Sequence, residues 1–275
     1  VFAAFALYWV HKHLTRDREF LKTPVEYAAS GFVIVYFVSI FAAVSTRSAI
    51  AEWLRHCMYF AVFLMLADLA RSRREKLAAL WTITASAAGV SILGLDGAAG
   101  GHVSGLLNRM LKALGAQHDV FFGLFNGGRV YSTLQYPNAL AAYLMAAFFI
   151  AAGLAAASRR IGARAAAGAA GFILTAVFVL TMSRGAFLLF PAAALIYLAA
   201  LPKGGRVRGA SFAVIPAVSG LGAGFRLAWL VSNPAWNEAA IWIHALAGAA
   251  AAAVLTAAAG GIVGRLERIS WKAYA

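Results

Sequence analysis

The chain has 275 residues, of which 63% are hydrophobic and 12% charged, and its mean hydropathy is +0.78; soluble domains are about a quarter charged. These values exclude a water-soluble single domain, a disordered chain and a coiled-coil or collagen-like rod, and one cysteine, Cys57, excludes an internal disulfide framework. The formal net charge is +14 from 24 Lys and Arg, which fall almost wholly in short connectors between apolar runs. That placement points to an anionic lipid bilayer as partner and away from nucleic acid.

In chain order, the first feature is an apolar stub, Val1 to Val10, too short to cross a bilayer. It begins without Met, so a fragment of a longer chain with a truncated N-terminal span is expected, and nothing in it reads as a signal peptide. Apolar runs then predict eight full spans near 26–44, 49–70, 77–95, 138–157, 165–182, 186–202, 210–231 and 239–264. The expected fold is all-α: a polytopic transmembrane helical bundle, one integral-membrane domain over 1–275. The connector 96–137 is long enough to be functional. Within it Val103, Leu106, Leu107, Met110, Leu111 and Leu114 recur at helical spacing, with Arg109 and Lys112 opposite. This predicts a helix lying in the interface; a packing lid without chemistry is the other reading. From Ala247 to Gly261 the chain is rich in Ala and Gly, which allows close helix approach.

Charge sets the orientation. Connectors 11–25, 71–76, 158–164, 203–209 and the tail from 265 hold 17 of the 24 Lys and Arg, the alternate connectors with Arg55 hold 6, and Arg226 lies within a span. The basic side is therefore expected in the cytoplasm, and any chemistry on the sparse side outside it.

Two constellations stand on the sparse side. Gly127-Gly128-Arg129-Val130-Tyr131 precedes Gln135-Tyr136-Pro137-Asn138-Ala139-Leu140-Ala141 at the mouth of the fourth span. Pro137 holds Tyr136 extended and Asn138 suits the N-cap, so the positive end of a helix dipole and Arg129 together form a cradle for an anion. The same residues also read as an ordinary Pro-Asn helix start beside one interfacial Arg. Farther on, Thr181-Met182-Ser183-Arg184-Gly185-Ala186 sets an Arg between two apolar runs. Arg costs about 2.5–3.5 kcal/mol at a helix centre and less near an interface. A phosphate partner for its planar fork would favour keeping it there, while snorkelling from a tight hairpin is the alternative.

Arg226 and His244 are ionisable groups inside apolar runs and functional candidates on that ground alone. Asp96, His102, His118 and Asp119 share the long connector but match no metal-ligand spacing, and no metal or cofactor is called for. There is no P-loop, dinucleotide fingerprint or nucleophile elbow. Asp17-Arg18-Glu19 only loosely matches a sugar-nucleotide D-x-D box and falls on the basic side.

The outer Arg followed by Tyr136-Pro137-Asn138-Ala139-Leu140-Ala141-Ala142-Tyr143-Leu144, and then Ser183-Arg184-Gly185-Ala186, resembles the O-antigen ligase and O-antigen polymerase family over about Arg129 to Pro202. The resemblance implies a bacterial inner-membrane glycosyltransferase of cell-envelope polysaccharide biosynthesis. Its donor would be a glycan on polyprenyl pyrophosphate, typically undecaprenyl, and its acceptor a sugar hydroxyl, met on the extracytoplasmic side. Carried over by residue, Arg129 and Arg184 would hold the pyrophosphate, with Ser183, Gly185, Tyr136, Pro137 and Asn138 around it. The family's large later outer loop, with a further Arg and often a His, has no counterpart in Ser232 to Glu238, so the chain is expected to continue beyond Ala275 or to lack that loop. His102, His118 and Glu238 lie on the appropriate side, but no spacing selects an acceptor base among them. A flippase for lipid-linked glycans or a carrier of small anions is the rival class, and a docking scaffold for a biosynthetic partner a third.

Overall fold

The computed structural model describes residues 1–16, 24–233 and 238–273; Asp17-Arg18-Glu19 lies outside them. Almost all of this is helix, as the runs of Ala, Leu, Phe and Val without polar interruption require. Among the described residues seven helices are long and apolar enough to cross a membrane, so the chain is a multi-pass helical membrane protein. Eight full spans were expected. The helix over the sixth predicted run, Arg184–Ala200, has only 17 residues, about 26 Å at 1.5 Å per residue against roughly 30 Å of hydrocarbon.

The helices fall into two compact units, Val1–Ala79 and Leu80–Ala275. The first contains α1 (Phe2–Leu14), α2 (Pro24–Ser39), which ends in a 3-10 turn, and α3 (Thr46–Leu69). It buries little: 0% of the α2 span and 6% of the α3 span. A buried charge cluster joins α1 to the end of α3. Asp68 accepts hydrogen bonds from Lys12 Nζ at 2.6 Å, the Tyr8 hydroxyl at 2.7 Å and Arg71 at 2.9 Å. A carboxylate in an apolar chain has to be paired this way, since breaking such a pair costs about 3–5 kcal/mol. Lys12 was expected in the connector 11–25. Because α1 continues past it, Lys12 is buried.

The second unit takes most of α4 (Arg73–Ala98), then α5 (His102–Ala113), a two-stranded hairpin of β1 (Phe125–Asn126) and β2 (Arg129–Val130), and α6 (Pro137–Ala157). It continues with α7 (Ile161–Leu180), α8 (Arg184–Ala200), α9 (Arg206–Val231) and α10 (Glu238–Ala273). Of the spans, α7 is the most enclosed, 67% buried against 50% for α6 and 28% for α9 and α10. Small residues let its neighbours approach. Gly171 faces Pro216, Thr175 faces Gly220 and Val179 faces Gly224, so α7 and α9 run parallel; Gly168 faces Thr256 and Phe172 faces Gly248, so α10 runs antiparallel. The Thr175 hydroxyl also donates to the Pro216 carbonyl at 3.0 Å, a helix-to-helix bond of the kind that joins spans in lipid. The Ala- and Gly-rich run of α10 thus serves the close packing expected of it.

This arrangement gives the second unit two ends. At the basic end Arg208 donates to the Ala156 carbonyl at 2.6 Å and Arg164 to the Ser158 carbonyl at 3.0 Å, with the buried Phe212 ring beside both guanidiniums. At the opposite, loop end lie residues 99–136. Helix α4 runs three residues farther than expected, so Asp96 belongs to it rather than to the connector. Fully buried, Asp96 accepts from the backbone N–H groups of Val103 and Ser104 at 2.9 and 2.7 Å and holds the start of α5.

Helix α5 is turned inside out relative to a helix in water. Val103, Leu106, Met110 and Leu114 are exposed while Ser104 and Asn108 are buried. Asn108 explains the inversion: its amide donates to the Phe121 carbonyl and accepts from the N–H groups of Val120 and Phe121, fixing the following chain. The outward apolar stripe is that of a helix lying in a bilayer interface. Leu106→Trp is expected to be strongly quenched by brominated lipid in vesicles, and quenching no greater than that of free tryptophan would reject the placement. A Cβ at Gly220 would meet the Thr175 hydroxyl and stand 2.7 Å from the Phe172 carbonyl. Gly220→Val should therefore destabilise the second unit by about 1–3 kcal/mol, read as a lower melting temperature in detergent.

Candidate functional site

The site is built at the loop end, starting from the hairpin. Gly127 and Gly128 have φ of 54° and 73°, the pair of positive values a type I′ turn demands. This turn pairs Asn126 with Arg129 and Phe125 with Val130. Alternation along the strand then decides direction. Val130 is fully buried, and a Cβ on Gly94 would collide with it, so α4 offers a glycine notch that seats the hairpin. Ser132 adds a hydroxyl bond to the Val90 carbonyl at 2.5 Å.

With Val130 anchored, Arg129 points the other way and reaches across 52 residues of sequence: its Nε donates to the Thr181 carbonyl at 2.9 Å. Thr181 is the C-cap of α7, where carbonyls lack helical partners and a cation is favourable. The Nη groups of Arg129 have no hydrogen-bond partner among the described residues, so the outer part of the fork stays available.

Arg184 begins α8 three residues beyond that carbonyl. The turn between the helices passes through Met182 at φ 50° and the buried Ser183. A non-glycine residue in the left-handed region carries strain, and such residues cluster at functional sites. Ser132 and Gln135, also at this end, share the feature. Arg184 itself is exposed, makes no bond to another described residue, and sits at the positive end of a helix whose N-cap side chain makes no capping bond. A cation there is disfavoured by the helix dipole. An anion would be drawn by both the guanidinium and the free N–H groups. Gly185 faces open space, so packing does not require its lack of a side chain.

The second helix start is that of α6. Tyr136 is extended (φ −145°, ψ 111°), as Pro137 dictates, and Pro137 occupies the first helical turn. Here the expectation is corrected, because Tyr136 rather than Asn138 is the N-cap. Asn138 lies two residues too deep, in the first helical turn, and its amide donates to the Tyr136 hydroxyl at 3.3 Å. No side chain caps α6, so its first N–H groups remain for a ligand. Pro137 is buried and sets the turn, whereas Tyr136 is exposed.

The remaining candidates separate. His102 meets Glu238 at 2.6 Å across 136 residues, a pair no spacing revealed, joining the start of α5 to the start of α10. Asp119 pairs with Lys112 at 3.0 Å, and His118 is exposed. With Asp96 committed to α5, the four connector residues once weighed as metal ligands are dispersed. Arg226 is exposed and lies over the Trp229 ring at 4.4 Å. His244 Nδ1 meets the Ala240 carbonyl on its own helix at 2.7 Å. Neither side chain joins the arginine site.

No protein-family model, no curated protein and no solved structure matches this chain.

The loop end therefore holds two guanidinium groups with unused donors and two uncapped helix starts. Hydrogen bonds to charged groups contribute about 1.5–3 kcal/mol each. Pyrophosphate should raise the melting temperature of the detergent-solubilised protein, and Arg184→Gln should weaken its apparent affinity about 10- to 100-fold. Equal affinities of wild type and variant would remove Arg184 from the site.

Proposed function

We propose that this chain is a membrane glycosyltransferase of the O-antigen ligase or polymerase type. It moves a glycan from polyprenyl pyrophosphate to a sugar hydroxyl at the extracytoplasmic face of a bacterial inner membrane. The observation that carries the reading is the hydrogen bond from Arg129 to the Thr181 carbonyl. It brings the two motifs named in the sequence, 52 residues apart, to one turn at one end of the bundle. The charge asymmetry of the connectors favours the outer side for that end.

In this reading the acceptor hydroxyl oxygen attacks the anomeric carbon, the bond from that carbon to the pyrophosphate oxygen breaks, and the pyrophosphate leaves with the electron pair. Charge grows on an already anionic leaving group. Arg129, Arg184 and the free N–H groups of α8 favour the stretched bond over the ground state. The hydroxyl proton passes to water at the exposed loop end. All these groups act through hydrogen bonds and charge.

Transfer from an undecaprenyl-pyrophosphate-linked oligosaccharide by membranes containing the protein tests the assignment. Arg184→Lys should retain the fold but lose the planar fork, and turnover should fall about 10- to 100-fold. Arg129→Ala should lower turnover and also the melting temperature, because it uncovers a helix-end carbonyl. Unchanged transfer in both arginine variants, or transport of the lipid-linked glycan without any new glycosidic bond, would overturn the reading.

A further inference from the structure

At the basic end, between α6, α8 and α9, lies a slot of about 170 Å³ with an entirely apolar lining, including Phe148, Phe149, Phe190, Tyr197, Ala213 and Ala217. Engineered apolar cavities of about 150 Å³ stay dry and accept an apolar guest. The slot is not sealed, and it has a direction. Along α9 its lining residues Ala210, Ala213, Val214 and Ala217 follow Arg206 at intervals of four, seven, eight and eleven, so Arg206 stands on the same helix face one turn nearer the basic end. Arg206 is exposed, and its guanidinium makes only long bonds, 3.3 and 3.4 Å, to the carbonyls of Leu201 and Ala199 at the end of α8. Beside it Lys203 is exposed too.

Two further observations bear on the occupant. The Tyr197 ring, but not its buried hydroxyl, faces the slot, so the interior suits hydrocarbon alone. The connectors at this end, 158–164 and 201–209, contain six Lys and Arg and no Asp or Glu. An apolar slot with a cationic mouth matches a molecule with a hydrocarbon chain and a phosphate.

We propose that this slot is a specific binding site for one anionic glycerophospholipid from the leaflet that meets the basic end. One acyl chain lies between α8 and α9, and the phosphate sits on Arg206 and Lys203. Basic pockets between spans hold anionic head groups in this way. The site is separate from the loop end and does not depend on glycan transfer there.

Native mass spectrometry of the purified chain, released from nanodiscs containing equal amounts of dioleoyl phosphatidylglycerol and dioleoyl phosphatidylcholine, tests it. Wild type should retain one phosphatidylglycerol in preference to phosphatidylcholine. Arg206→Gln should reduce that preference about fivefold, the effect of one basic residue near an anionic surface. Ala213→Phe, which fills the slot, should lower retention of both lipids, and Arg159→Gln, a charge change at the same end on another connector, should leave retention unchanged. Equal retention of the two lipids by wild type, a measurement that needs no variant, would overturn the proposal. So would an effect of Arg159→Gln as large as that of Arg206→Gln, because diffuse surface charge would then suffice.

Discussion

The second unit depends on how closely its neighbours approach α7. In lipid the helices gain nothing from excluding water from one another, so packing and interhelical hydrogen bonds must hold them. Glycine supplies both the space and the register. Gly168 on α7, with Gly220, Gly224 and Gly248 opposite, leaves no room for a Cβ, and Gly171 packs tightly on Pro216, while Thr175 uses the short separation to reach a carbonyl on α9. Because α7 is fixed along its length, its last carbonyls and the turn after it are fixed as well. Arg184 is held at a defined place by packing far from it.

The second constraint is that polar backbone groups near hydrocarbon need partners. At the C-terminus of α7 the partner is an arginine from another part of the chain, carried on a two-residue strand that a glycine notch in α4 seats. This single bond has a structural role, since it satisfies a helix end. It also aims a guanidinium, with donors to spare, at the place where the next helix begins with a cation on its own positive end. The joint result is a local excess of positive potential with no acidic residue bonded to it among the described residues, the condition under which an anion binds. Elsewhere at this end the acidic groups have partners, as Asp119 has Lys112 and Glu238 has His102.

Charge placement inside so apolar a chain follows one rule in three places. Asp68 is surrounded by Lys12, Tyr8 and Arg71, a closed cluster that holds the first unit together. Arg164 and Arg208 close on backbone carbonyls and a phenyl ring at the basic end. Arg184, Arg206 and Lys203, by contrast, are exposed and bonded weakly or not at all to their surroundings. The closed groups account for stability, and the open ones mark the two surfaces to which ligands are assigned.

Hydropathy by itself determined the helical, multi-pass character of the chain, and the helices run close to the expected apolar stretches because transfer to hydrocarbon is a sum over local composition. The amphipathic spacing from Val103 to Leu114 likewise identified α5, and Pro137 the extended Tyr136, since periodicity and proline geometry are properties of neighbouring residues. Asn138 was misassigned as the cap by two positions, because neighbouring residues can compete for a helix start and only the backbone shows which wins. Asp96 and Lys12 were read as connector residues because apolar composition does not show how far a helix continues past its last apolar turn. The reach of Arg129 to Thr181, the pairing of His102 with Glu238, and the alignment of Arg206 with an apolar slot lay wholly in the tertiary structure. Each joins residues from different helices, and their proximity follows from which faces pack together, information that no local pattern contains.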